Sequence, residues 1–177
     1  MRRMVRTISV FATFAIVAFL PFAAQAEANK PVNAKEAFEK LKGLAGEWRG
    51  TEGEKGKGME MTVLYKTTSH GSAVVETLFP GTDHEMITVF HLEGDRLVLT
   101  HYCAIGNQPK MALSKKATAD HLVFDFIGGS NVNPKDDLHM HSARFQLEGK
   151  DSFSAEWDTY QGGKKTDTKK FFLTRKS

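Results

Sequence analysis

Apolar and polar residues alternate along short runs of the chain from residue 46 onward. In the run 59–67, one set of alternate residues is apolar and the other set is mostly polar. The apolar set is Met59, Met61, Val63 and Tyr65, and the other set is Glu60, Thr62, Leu64 and Lys66. Because successive side chains of a β-strand point to opposite faces, this alternation predicts a strand with one buried face.

Turn-forming residues separate these runs at short intervals. They include Gly56-Lys57-Gly58, His70-Gly71, Pro80-Gly81, Glu93-Gly94-Asp95, Gly106-Asn107-Gln108-Pro109, Ala119-Asp120, Glu148-Gly149-Lys150-Asp151 and Gly162-Gly163. Short strands at such spacing predict an all-β sandwich or barrel, and we count about ten of them. The expected strands lie near 46–52, 59–68, 72–79, 84–92, 96–104, 110–117, 121–127, 138–147, 152–160 and 165–175. Nearly all connections are short hairpins, apart from the Gly/Asn/Pro-rich loop 128–137, so a single antiparallel up-and-down β-barrel is favoured.

One short helix is predicted before the first strand. Its apolar residues recur at helical spacing and are Ala34, Ala37, Phe38, Leu41 and Leu44. Asn33 stands at the N-cap position, and Glu36 follows three residues later, as in a capping box. Gly43 and Gly46 end the pattern. The predicted fold is therefore an all-β barrel with a short N-terminal helix.

The first 26 residues have the composition of a secretory signal peptide. The basic segment contains Arg2, Arg3 and Arg6. An apolar run follows from Ile8 to Phe22, and Ala24-Gln25-Ala26 supplies the small residues of a cleavage site. The alternative is a membrane anchor, but the run is short for a span of about 20 residues. We expect cleavage after Ala26, a secreted or periplasmic protein without a stable membrane anchor, and one domain over residues 27–177.

Charge and cysteine content narrow the class of protein. The three arginines of the leader account for the whole formal charge of +3, so the expected mature chain is formally neutral. A nucleic-acid-binding protein normally carries a basic surplus, and this class is therefore disfavoured. Because Cys103 is the single cysteine, no internal disulfide forms, and the domain must rely on burial and hydrogen bonding. We expect a monomer or a weak dimer.

Two positions resemble the sequence pattern of the calycins, the group of barrels that includes the lipocalins. Gly46-Glu47-Trp48 provides a G-x-W motif at the first strand, and Arg175 lies in the last strand. In the calycins the tryptophan closes one end of the barrel and the arginine packs across it. The resemblance implies these structural roles for Trp48 and Arg175.

Two further stretches look like an uncharacterised bacterial family of exported lipocalin-like proteins. They are Leu44-Ala45-Gly46-Glu47-Trp48 and Leu99-Thr100-His101-Tyr102-Cys103-Ala104, the latter followed by Gly106-Asn107-Gln108-Pro109. This likeness supports the fold and implies no particular activity. About ten strands, where lipocalins have eight, is closer to the fatty-acid-binding and nitrobindin-like barrels.

Histidines form the main constellation of candidate functional residues. On the strand 138–147, the more apolar face contains His139, His141, Ala143, Phe145 and Leu147, and on the strand 96–104 it contains Leu97, Leu99, His101 and Cys103. The more apolar face should point inward. Imidazoles at alternate strand positions, roughly 6–7 Å apart, can converge on one ion at about 2.1 Å from each nitrogen. His101, Cys103, His139 and His141 are therefore candidate ligands of Zn²⁺, copper or haem.

The same histidines have two simpler interpretations. They line a polar cavity as hydrogen-bonded groups, or His139 and His141 lie in solvent at a strand end beside the loop 128–137. Glu76 interrupts an apolar run and has alternatives of its own. It points inward as a metal ligand or as a proton acceptor with a raised pKa, or it lies on the solvated face.

A small-molecule ligand inside the barrel is the first functional hypothesis. A closed barrel of this size can hold one ligand, aromatic side chains supply contact area, and inward histidines orient a polar group. The candidate ligand-binding residues are His101, Cys103, His139, His141, Tyr65, Glu76, Phe124 and Trp157. We expect a non-enzymatic, exported barrel that binds a small apolar or amphipathic molecule without a cofactor. The alternatives are a metal- or haem-binding barrel and a small-molecule enzyme that uses an inward His/Glu pair.

Overall fold

The computed structural model describes residues 29–177, so the predicted signal peptide lies outside the described residues. In this part of the chain one α-helix precedes ten β-strands. The elements are α1 (Ala34–Lys42), β1 (Gly46–Glu52), β2 (Met59–Thr68), a 3₁₀ turn (Ser69–Gly71), β3 (Ala73–Leu78), β4 (Met86–Glu93), β5 (Arg96–Tyr102), β6 (Gln108–Leu113), β7 (His121–Ser130), β8 (His139–Leu147), β9 (Ser152–Gln161) and β10 (Lys164–Arg175). No helix in residues 29–177 combines the length and apolar character that a membrane crossing requires.

The ten strands form one closed antiparallel barrel. Each strand pairs with its neighbours in sequence, and β1 pairs with β10 to complete the ring. At this closure Trp48 is opposite Arg175 on one side and opposite Val63 on the other. The predicted up-and-down barrel of about ten strands with a short helix is therefore confirmed.

Helix α1 covers one end of the barrel, which we call the helix end. The side chain of Asn33 accepts a hydrogen bond from the Glu36 amide, and the Glu36 carboxylate accepts one from the Asn33 amide, so the predicted capping box is present. The buried face of α1 consists of Ala37, Phe38 and Leu41, which join the barrel core. The opposite end, where β1 ends and β2 begins, we call the far end.

Aromatic rings fill the barrel interior near the helix end. Edge-to-face pairs join Trp48 to Phe153 at 4.7 Å between ring centroids, and Phe124 to Phe145 at 5.9 Å. Phe90 contacts both members of the second pair. Rings of this size bury more apolar surface than any other side chains, so this layer supplies much of the driving force for folding.

Candidate functional site

Four polar residues form a continuous row across the inner face of neighbouring strands. Tyr65 on β2 is opposite Glu76 on β3, Glu76 is opposite Thr88 on β4, and Thr88 is opposite His101 on β5. All four side chains are buried. We call Tyr65, Glu76, Thr88 and His101 the polar row. Their alignment follows from strand register alone, because directly opposite residues on one face of an antiparallel pair lie closest together.

Hydrogen bonds and ring contacts connect the polar row. The Tyr65 hydroxyl donates to Glu76 Oε1, and Thr88 Oγ1 lies 3.0 Å from His101 Nδ1. Trp157 on β9 contacts His101 from across the barrel, with 4.9 Å between the two ring centroids. The row therefore runs from the aromatic layer around Phe153, which Tyr65 contacts, to Trp157.

Three buried polar atoms around this row have no hydrogen-bond partner in the described part of the protein. They are Glu76 Oε2, His101 Nε2 and Trp157 Nε1. A buried polar atom left unpaired costs about 1–3 kcal/mol, and most buried polar groups in proteins are paired. These atoms thus form a set of unused hydrogen-bonding groups inside the barrel.

Burial shifts the pKa values of the polar row toward the uncharged forms. It raises the pKa of Glu76 from its usual 4.5, although the hydroxyls of Tyr65 and Thr88 act in the opposite direction. Burial and the neighbouring Glu76 carboxyl raise the pKa of Tyr65 well above 10. Burial lowers the pKa of His101 from 6.5 to about 4, so the imidazole is neutral at neutral pH and keeps one donor and one acceptor.

An apolar row lies next to the polar row on the side of the far end. Val63 is opposite Leu78, and Leu78 is opposite Met86. The Met86 sulfur lies 3.9 Å from the sulfur of Cys103. We call Val63, Leu78, Met86 and Cys103 the apolar row. Val63 and Leu78 are buried, whereas Met86 and Cys103 are partly exposed, so this row connects the interior with solvent.

His139 and His141 form a hydrogen-bonded pair near the far end. His139 Nδ1 lies 2.8 Å from the Asp137 carbonyl oxygen, which can only accept, so this nitrogen carries a proton. His139 Nε2 lies 2.9 Å from His141 Nδ1. The His141 ring stacks between Phe126 and Tyr160, with 4.8 Å and 3.9 Å between ring centroids. When both rings are neutral, His141 donates to His139 and keeps a lone pair on its own Nε2.

A β-bulge explains how two such large rings come together. The register of β8 against β9 shifts between Met140 and Ser142, so His141 has no residue opposite it. Burial and the neighbouring His139 lower the pKa of His141, and Asp125 and Asp158 partly counter this effect. The lowered pKa of His141 favours the neutral ring.

The four predicted metal ligands are divided among three sets of contacts in the structure. His139 pairs with His141, His101 belongs to the polar row, and Cys103 contacts Met86. Within residues 29–177, no group of three or more His, Cys, Asp or Glu side chains is placed to hold a metal ion. A metal-ion site that uses all four residues therefore has no geometric support in residues 29–177.

The remaining predicted ligand-binding residues lie in the interior. Tyr65, Glu76, Phe124 and Trp157 are buried, and Glu76 takes the inward of its two predicted orientations. Thr88, which lies between Glu76 and His101 in the row, is not among the residues predicted from the sequence. The sequence does contain a signal for its inward orientation, because Thr88 shares one face of β4 with the apolar residues Met86 and Phe90.

At the helix end, Arg175 and Trp48 are in direct contact. The Arg175 guanidinium donates to the carbonyl oxygens of Ala45 and Gly43 at 2.8 Å and 2.9 Å. The indole of Trp48 lies beneath it and donates to the carbonyl of Leu44 at 2.7 Å. These bonds attach the segment after α1 to the first and last strands.

Compared with protein-family models and with curated proteins, the chain matches neither a family nor an individual protein. The calycin resemblance stays a prediction, and functional conclusions rest on the geometry of the barrel interior.

Proposed function

We infer that this protein is an exported β-barrel that binds a small amphipathic molecule in its interior. The polar end of the molecule bonds to Glu76 Oε2, His101 Nε2 and Trp157 Nε1. Its apolar part lies along the apolar row toward the far end. The observation that carries this proposal is the set of three buried, unpartnered polar atoms around one inner-face row.

The chemistry of the two rows fits such a ligand. Each unpartnered atom that gains a hydrogen bond recovers part of the cost of its burial. Methionine and cysteine are soft, adaptable surfaces for an apolar chain, and Met86 and Cys103 stand at the partly exposed end of the apolar row. A molecule with one polar and one apolar end matches this order of groups, and either end alone would leave one row unused.

Native mass spectrometry of the protein purified from its own host tests the proposal. We expect a mass excess over the polypeptide that disappears after extraction with organic solvent, and the extracted protein should take up 1-octanol. The Trp157→Phe variant should retain less of the native ligand, whereas His84→Gln, at an exposed position, should behave as wild type. A protein without excess mass that also takes up no octanol would contradict ligand binding.

Export is part of the same proposal. It rests on the basic, apolar and small-residue segments of residues 1–26. The mass of the protein recovered from the producing cells should correspond to a chain that begins at Glu27. Recovery of the full-length chain from the cytoplasm alone would contradict it.

The polar row also favours a second candidate function, acid–base catalysis on the bound molecule. Glu76 and His101 both face inward next to Thr88. General acid–base catalysis requires such groups within about 3 Å of a substrate atom. If the row is catalytic, incubation with the extracted native ligand should alter that ligand with wild type and leave it unchanged with His101→Gln. An unaltered ligand in both incubations would argue for binding alone.

A further inference from the structure

We propose that the polar end of the ligand is an uncharged group that both donates and accepts a hydrogen bond, such as a hydroxyl. This inference rests on the proposed function and specifies the class of ligand. It follows from the kinds of atoms that surround the polar row and from the kinds that are missing there.

The barrel interior offers no cationic partner for an anionic ligand. No Lys or Arg side chain of residues 29–177 is buried. His101 is neutral at neutral pH because burial lowers its pKa to about 4. A carboxylate at the polar row would lose its hydration without gaining a counter-charge.

An ammonium group fits the same atoms poorly. Trp157 Nε1 is a donor only, and an ammonium has no lone pair to accept its hydrogen bond. Pairing with Glu76 would require an ionised carboxylate at a position where burial raises the pKa of Glu76. An ammonium would therefore leave Trp157 unpaired and keep two charges inside the barrel.

A hydroxyl satisfies both kinds of unpartnered atom. Its oxygen accepts from Trp157 Nε1, and its hydrogen is donated to a lone pair on His101 Nε2. Uncharged Glu76, whose Oε1 accepts from Tyr65, carries its proton on Oε2 and donates to the hydroxyl oxygen, whereas ionised Glu76 accepts the hydroxyl hydrogen. In the other tautomer of His101, Nε2 carries the proton and donates to the same hydroxyl oxygen. The hydroxyl thus adapts to either arrangement of protons along Thr88 and His101, which lie 3.0 Å apart.

Three probes of equal chain length test this inference on the wild-type protein. We would titrate 1-octanol, octanoate and octylammonium at neutral pH and follow binding by calorimetry. The expected result is that octanol binds at least about tenfold more tightly than either charged probe, a difference of about 1.4 kcal/mol. Trp157→Phe should weaken octanol binding about five- to tenfold, and His84→Gln should leave it unchanged.

The outcomes separate this inference from the proposed function. If octanoate or octylammonium binds as tightly as octanol, the uncharged-group inference is overturned while ligand binding stands. If no probe binds to the extracted protein, the proposed function fails together with it. The comparison of head groups uses only wild-type protein, so the result does not depend on the folding of any variant.

Discussion

The guanidinium of Arg175 lies over the indole of Trp48, with 4.3 Å between its central carbon and the ring centroid. This contact joins β10 to β1 at the closure of the barrel. The same guanidinium donates to backbone carbonyls of the segment between α1 and β1, including those of Ala45 and Gly43. One side chain therefore holds together the first strand, the last strand and the helix connection.

Arg175→Ala should lower the free energy of unfolding by about 2–3 kcal/mol, because it removes charged hydrogen bonds and a cation–π contact. Arg175→Lys should recover less than half of this loss, since an ammonium cannot reproduce the planar fork. Arg49→Ala is the matched control, because the Arg49 side chain is 61% exposed and that of Arg175 only 27%. Urea unfolding of the three variants measures the effect. Equal losses for Arg175→Ala and Arg49→Ala would contradict the structural role.

His101 should make stability fall as the pH falls from about 6.5 to about 4. Burial lowers the pKa of His101 in the folded state, so the unfolded chain binds the proton first. The whole contribution is on the order of 3 kcal/mol for a shift from 6.5 to about 4. His101→Gln should flatten this part of the profile of unfolding free energy against pH relative to wild type. The variant His84→Gln, at an exposed site, should not. Parallel profiles for wild type and His101→Gln would contradict a buried neutral imidazole.

Glu76 should make stability depend on pH in the opposite direction to His101. Because burial raises the pKa of Glu76 in the folded state, the unfolded chain loses the proton first, and stability falls as the pH rises above 4.5. Glu76→Gln should therefore gain stability relative to wild type as the pH rises from 4.5 toward neutrality. Glu60→Gln, at an exposed position on β2, serves as the control. A difference between Glu76→Gln and wild type that does not change with pH would contradict the prediction.

The histidine pair should matter less for folding than Trp48. The double variant His139→Gln/His141→Gln should stay folded at a cost of about 1–3 kcal/mol, the cost of disturbing buried hydrogen bonds. Trp48→Ala should cost about 3–5 kcal/mol, because it removes a large buried aromatic side chain. Thermal melts of both variants test this order. A double histidine variant that fails to fold beside an unaffected Trp48→Ala would reverse it.

The sequence predicts the strands well because the barrel interior is apolar along almost every strand. Where the predicted and observed strand bounds differ, backbone geometry accounts for the difference. Strand β7 was expected to end at 127 but extends to Ser130. Gly129 permits this, because a Cβ there would lie 2.6 Å from the Gln108 carbonyl oxygen of the paired strand. The predicted strand 110–117 is shifted to Gln108–Leu113, since residues after Leu113 turn and Ala117 donates to the Ser114 carbonyl.

The candidate site is less predictable than the fold. Alternation along single strands places His101 on the inner face and leaves two orientations open for Glu76, and it cannot reveal that both residues adjoin Thr88. That relationship depends on the register between β3, β4 and β5, which the pairing of whole strands determines. The His139–His141 contact depends in addition on a bulge, for which the sequence offers no signal.

The indole N–H groups of the two tryptophans provide the most direct test of the ligand site. The chain contains only Trp48 and Trp157, so a ¹H–¹⁵N spectrum shows two indole signals, and Trp157→Phe assigns them. Trp48 Nε1 already donates to the Leu44 carbonyl, whereas Trp157 Nε1 has no partner in the described chain. Trp48 therefore serves as an internal reference for Trp157.

Addition of 1-octanol to the extracted protein should move the Trp157 indole signal downfield, because its N–H gains a hydrogen bond, and should leave the Trp48 signal in place. Binding of octanol with the Trp157 signal unmoved, or with only the Trp48 signal moved, would contradict the proposed site at Glu76, His101 and Trp157.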